Sequence, residues 1–136
     1  MISYEIPLET PAKKNSRITL KNGRTIPSKR YKTWHENAFL LLKGKVKEVI
    51  NEKCYIILIF THGDFIRRDS DNGTSSIFDL LQDIGQLSDD NWKIIKNFHV
   101  FNNYEKGNPK CQIKIYKESE FNKYSFDLLA YTSQFC

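Results

Sequence analysis

Polar and apolar positions alternate from Ser3 to Leu8, with Tyr4, Ile6 and Leu8 on one side; this period of two predicts a first β-strand that stops before Pro11. After Pro27 the period changes. Phe39, Leu42, Val46, Val49 and Ile50 recur at helical spacing with lysines between them, and Ser28 is a candidate N-cap. A helix of about twenty residues ending near Asn51 is expected. Cys54–Phe60 is an unbroken apolar run rich in β-branched and aromatic side chains, which suits a strand buried on both faces. Ile77, Leu80, Leu81 and Ile84 follow the i, i+3, i+4, i+7 rule of a second helix, and Gly85 is placed to close it. Beyond a polar turn at Ser88-Asp89-Asp90-Asn91, Trp92–Phe101 and Cys111–Tyr116 read as two more strands joined through Gly107-Asn108-Pro109. Phe121, Phe126, Leu128, Leu129 and Tyr131 suit a short helix folding back on the core. The order β, α, β, α, β, β implies an α+β fold. One domain over residues 1–136 is expected, with a mixed sheet of about four strands and two main helices packed on it.

The chain has 136 residues, 40% of them hydrophobic, enough for one domain with its own core. Its longest apolar run falls far short of the ~20 residues of a membrane helix, and Met1-Ile2-Ser3-Tyr4-Glu5 does not resemble a secretory leader. Cys54, Cys111 and Cys136 form neither a disulfide framework nor a paired zinc motif. These features point to a cytoplasmic protein with no membrane partner.

Charge divides the chain. Net charge is +5, yet Thr10 to Lys32 carries eight basic residues and no acidic one, while seven of the eight aspartates lie between Asp64 and Asp90. A polyanion partner and a cation site on one domain would account for this distribution. A solvated basic loop beside an acidic surface helix accounts for it equally well.

Asp69-Ser70-Asp71 is the sharpest chemical signal. On an extended chain, residues two apart face the same side, so both carboxylates could meet one cation. Hard oxygen ligands suit Mg²⁺, with Mn²⁺ as the other candidate, and Asp89 or Asp90 is the expected third ligand. Such carboxylates beside Arg67 and Arg68 form the minimum kit for metal-assisted phosphodiester cleavage. Turn and cap residues before a helix would read the same way, and a sugar-nucleotide transferase also uses D-x-D. A calcium loop is excluded, because the sixth position from Asp69 is Thr74 rather than Gly. Arg67 and Arg68 could grip a phosphate or pair with Asp69 and Asp71. The candidate DNA-binding cations upstream are Lys13, Lys14, Arg17, Arg24, Lys29 and Arg30. Tyr31 and Trp34 lie among them, either to stack on bases or to form the inner face of the first helix. His35, His62 and His99 show no metal spacing and read as surface or satisfied structural residues. The absence of a glycine-rich phosphate loop argues against a nucleotide cofactor.

Taken together, Arg67-Arg68-Asp69-Ser70-Asp71-Asn72, then Ile77-Phe78-Asp79-Leu80-Leu81, then Gly85 and Asp89-Asp90 resemble the core of the RusA family of Holliday junction resolvases. That core reads R-R-D-x-D-N, a D-A-L-like helical element, a Gly and a closing D-D. The match extends to the spacing of nineteen residues from Asp71 to Asp90, and Pro27-Ser28, Tyr31 and Trp34 resemble the family's N-terminal part. The resemblance covers about residues 4–116 and leaves 117–136 as a C-terminal extension. It implies a Mg²⁺-dependent homodimeric endonuclease that nicks two opposed strands of a four-way DNA junction. Asp69, Asp71 and Asp90 match the family's metal-binding catalytic aspartates, Asp89 the first member of the closing pair, and Arg68 a DNA-contacting arginine. One position departs: the family's lysine four residues after the second aspartate is Ser75 here. A missing cation near the scissile phosphate weakens charge stabilisation. The alternative is therefore a junction-binding protein of the same fold with little or no turnover, unless Lys93 or a partner subunit's basic residue substitutes.

Overall fold

The computed structural model describes residues 1–13 and 17–136, and of Arg17 only the backbone. Strand β1 is Ile2–Ile6, a short hairpin follows as β2 (Arg17–Thr19) and β3 (Thr25–Pro27), and helix α1 is Lys29–Leu42. Then come β4 (Cys54–His62), α2 (Ser70–Asp83), β5 (Ile95–Tyr104), β6 (Lys110–Lys117) and α3 (Phe121–Phe135). The main sheet has the order β1-β6-β4-β5, with β4 parallel to β5 and the other neighbours antiparallel. The fold is thus α+β with a mixed four-stranded sheet, as the pattern implies, and the C-terminal helix expected beside the two main ones runs to 15 residues.

Strand β4 lies in the middle of the sheet, and its apolar run is buried on both sides. Ile56, Leu58 and Phe60 join the larger core beneath α1 and α2, while Ile57 and Ile59 pack on the opposite face with Phe101, Tyr116 and Tyr124. Helix α3 forms that second layer, with Leu128, Tyr131 and Phe135 against it. The segment 117–136 therefore contributes to the core of this fold.

Helix α1 starts where the residues indicate: the Tyr31 N–H donates to Ser28 Oγ at 3.2 Å. It ends earlier than its apolar spacing suggests. After Leu42 a single 3₁₀ turn, Lys43–Lys45, passes through Gly44, and the chain then runs extended past two β-branched valines. Ile50 instead bridges to Leu87, exchanging backbone hydrogen bonds with Gln86 and Ser88. Tyr31 and Trp34 are buried on the inner face of α1, so they are core residues and offer no ring to a nucleic acid. Helix α2 closes on Gly85 at φ +81°, where the Gly85 N–H bonds to Gln82 O and the Gln86 N–H to Leu81 O. Strand β5 starts at Ile95 rather than Trp92 because Asn91 ties the preceding residues into a turn, accepting from the Lys93, Ile94 and Ile95 N–H groups. Among the described residues no helix is long and apolar enough to cross a membrane.

Candidate functional site

Strands β4 and β5 run parallel, and α2 returns the chain between them, so the C-terminal end of β4 and the first turn of α2 meet at one edge of the sheet. Ligands favour this position in parallel α/β units. Asp69-Ser70-Asp71 lies here, but not as an extended segment. Asp69 is the N-cap of α2 and Asp71 is in its first turn. Helical geometry turns residues two apart roughly 200° from each other, so the two carboxylates serve different surfaces. Asp69 lines a cavity of about 370 Å³ together with Arg30, Arg67, Arg68, His62 and Asn102. Asp71 and Asp90 line a neighbouring cavity of about 430 Å³, floored by Phe78, Phe98 and Val100. Ser70 lies on the wall of both.

Asp69 does not use its carboxylate to cap the helix. Among the described residues its charged partner is Arg67, at 3.9 Å and with its side chain 94% exposed, a pair of little energetic weight. Asp90 is different: burial, followed by the hydrogen bond and charge of Asp89 and the charge of Asp79, pushes its carboxyl above the ordinary range. Asp89 spends both oxygens on its own turn, accepting from the Asp90 N–H at 2.7 Å and from Asn91 Nδ2 at 3.0 Å. Among the described residues, no group of three or more His, Cys, Asp or Glu side chains stands ready to enclose an ion. Two carboxylates, Asp71 and Asp90, share one cavity, and a third, Asp69, faces the next.

A scan against protein-family models and a search of curated proteins find no match to this chain.

The basic residues divide by what they already touch. Arg68 donates to Asp64 at 2.7 and 3.3 Å and lies 3.5 Å from Glu9, so it is tied into the loop rather than paired with Asp69 or Asp71. Lys13 is likewise engaged, 3.0 Å from Asp79. Arg24, Lys29, Arg30 and Arg67 are exposed. Lys14 lies outside the described residues, as does the side chain of Arg17.

Three residues of the first cavity's surroundings carry no motif and were not singled out as site residues. His62, at the end of β4, lies 2.9 Å from Glu9 Oε2 through Nδ1 and 2.9 Å from Asn102 Oδ1 through Nε2. A carboxylate and an amide oxygen only accept, so each ring nitrogen of His62 faces an acceptor. Asn102 Nδ2 then donates to Ser70 Oγ at 3.2 Å. This line of contacts runs from Glu9 to the hydroxyl between the two aspartates, joining the segment after β1 to β4, β5 and α2. The participants lie far apart in the chain: the register of β4 and β5, which sets His62 opposite Tyr104 and Phe60 opposite Asn102, brings His62 and Asn102 together, and the segment after β1 and the start of α2 add Glu9 and Ser70.

Proposed function

We propose that the protein is a structure-selective DNA endonuclease of the RusA type, acting on four-way junctions as a homodimer with Mg²⁺ or Mn²⁺. The observation that carries this reading is the common cavity of Asp71 and Asp90, nineteen residues apart in the chain, next to an arginine-lined cavity that holds Asp69. Asp71 and Asp90 would hold the cation, with water and phosphate oxygens as its remaining ligands, while Asp69 faces the adjoining cavity. When bound, such an ion lowers the pKa of water and neutralises charge on the phosphodiester. The chain's own residues do the rest. Arg30 and Arg67 receive the phosphate backbone, Arg68 keeps the loop in place for them, and Ser70 offers a hydroxyl between the carboxylates. A two-fold junction is matched by two sites related by two-fold symmetry, which is the reason for a dimer.

The test is a gel assay of wild type and Asp71→Asn on a labelled four-way junction and a linear duplex, with and without Mg²⁺. Paired nicks in the junction alone, lost in Asp71→Asn and in chelator while junction binding persists, are expected. Equal cutting of the linear duplex would refute the structure selectivity.

A second reading rests on Ser75. It lines the Asp71–Asp90 cavity, whose walls hold no lysine or arginine among the described residues. A junction-binding protein without turnover is the alternative, and Ser75→Lys decides between them. Cleavage that appears only with Ser75→Lys establishes the binding reading, whereas cleavage by wild type removes it.

A further inference from the structure

Phe65 is 83% exposed, and Ile66 beside it is also exposed. Phe65 does not turn inward. Its ring stacks on that of Tyr104 at a centroid distance of 4.0 Å and an interplanar angle of 26°, and Tyr104 is itself 41% exposed. The loop that displays Phe65 is held at both ends. Asp64 accepts from the Ile66 N–H at 3.0 Å and from Arg68, while His62 O and Gly63 O accept from the Glu105 and Gly107 N–H groups at 3.0 Å each. The two rings thus form an exposed face on a backbone tied to the end of β5.

The flanks of this face carry cations beside two carboxylates that are already paired, Asp64 with Arg68 and Glu105 with Lys110. Arg67, two residues on, projects into water, and Lys106 is exposed on the adjoining turn. Ile66 itself lines the cavity of Arg30, Arg67 and Arg68. An occupant must therefore present a flat apolar face attached to negative charge. We propose that the Phe65–Tyr104 pair is a stacking platform for one unpaired nucleobase, placed beside the arginine cavity that takes the adjoining phosphate. Every base has a π-face, so the platform reads the absence of pairing rather than sequence. Inside an intact duplex both faces of a base are covered by its neighbours. The platform thus selects branch points and single strands over linear duplex, which names the structural feature recognised under the nucleic-acid reading on which it rests.

The full-length chain would be titrated with three probes: a single-stranded oligonucleotide and a four-way junction, each carrying 2-aminopurine, and a linear duplex of the same sequence. Wild type, Phe65→Ala, Phe65→Leu and Phe65→Trp would be compared, with circular dichroism confirming that each is folded. The expected result is weaker binding of single strand and junction by about tenfold or more in Phe65→Ala and Phe65→Leu, since base–aromatic stacking has that order of effect. The 2-aminopurine quenching would be lost with it, Phe65→Trp would retain both, and duplex affinity would stay within about twofold. Phe65→Leu binding like wild type would overturn the platform, because aliphatic surface would then suffice. Equal losses on all three probes would also overturn it. So would a change of oligomeric state in Phe65→Ala, which would make the pair a subunit contact. Wild type that binds none of the probes at low salt would overturn the nucleic-acid reading as well, whereas unchanged binding by Phe65→Ala removes the platform alone.

Discussion

Asp64 organises the loop between β4 and α2 through a few hydrogen bonds. Its Oδ1 takes the Ile66 N–H, and both of its oxygens face the Arg68 guanidinium. The Arg68 hydrogen bond, followed by that of the Ile66 backbone, holds the Asp64 carboxyl below its ordinary value. The sign follows. A carboxyl depressed in the folded state favours the ordered loop above the ordinary carboxylate pKa of about 3.9, and that preference is lost as pH falls through the depressed value. A carboxyl-detected NMR titration is expected to find the Asp64 midpoint below about 3.9 in wild type and moved back toward that value in Arg68→Ala. An unchanged midpoint in Arg68→Ala would mean that the Ile66 N–H alone sets the loop. The same substitution frees Glu9, whose carboxylate Arg68 also approaches at 3.5 Å. The contact between Glu9 and His62 would then be carried by Glu9 and His62 alone.

At the scale of elements, α3 decides whether the sheet has one covered face or two. Tyr124 is its buried anchor, stacked on Tyr55 at 4.8 Å and set edge-on to Tyr116 at 5.5 Å. Its hydroxyl has no hydrogen-bond partner among the described residues. Tyr124→Ala should therefore cost about 3–5 kcal/mol, as buried aromatic truncations do. Tyr124→Phe, which removes only an unsatisfied buried hydroxyl, should be neutral or stabilising. Urea unfolding of the two variants measures both, and a costly Tyr124→Phe would show that the hydroxyl is satisfied. Helix α3 also carries a pH signature. Burial pulls the Asp127 carboxyl up, but the hydrogen bonds from Tyr116 at 2.6 Å and Lys123 at 3.1 Å outweigh it and leave the carboxyl below its ordinary value. Burial, then the Asp127 hydrogen bond and charge, raise Tyr116 above its ordinary value. Docking of α3 should thus weaken as pH falls below about 4 and again as it rises past about 10, the ordinary values of the two groups.

The tail of five apolar residues was legible as a helix, yet not as the cover of a second core, because Ile57 and Ile59 do not reveal which element faces them. Strands β1, β4 and β6 and helix α2 were legible for the opposite reason: each shows its own period or an unbroken run. Helix α1 was read too long because Val46, Val49 and Ile50 keep a helical spacing that the chain uses in extended form, with Val49 left exposed. At the site, the acidic motif was visible but its geometry was not. Two residues apart means one face on a strand and opposite faces on a helix start, and the N-cap role of Asp69 decides which applies. The contacts of Glu9, His62, Asn102 and Ser70 were invisible because they join four segments that only the folded chain brings together.

For the whole molecule, the formal charge of +5 does not say which cations a polyanion can reach. Lys13 already neutralises Asp79 at 3.0 Å, and Arg68 is bound to Asp64 at 2.7 Å. Arg24, Lys29, Arg30 and Arg67 are exposed, and two of them, Arg30 and Arg67, line the cavity beside Asp69. Counterion release converts this division into a number. Each duplex phosphate neutralised contributes about −0.9 to the slope of log K against log salt. Four phosphates met by these four side chains give a slope of about −3.6 on that basis. Arg30→Ala and Arg67→Ala should each make the slope shallower by about one unit and weaken DNA binding at low salt. Lys13→Ala should leave the slope nearly unchanged, because its ammonium must abandon Asp79 before it can meet a phosphate. Fluorescence anisotropy of a labelled duplex from about 50 to 200 mM salt reads all three variants. If Lys13→Ala flattens the slope as much as Arg67→Ala does, the Asp79 pair opens on binding and the basic stretch after β1 joins the interface. A slope that none of the substitutions changes would place the DNA on some other face of the domain.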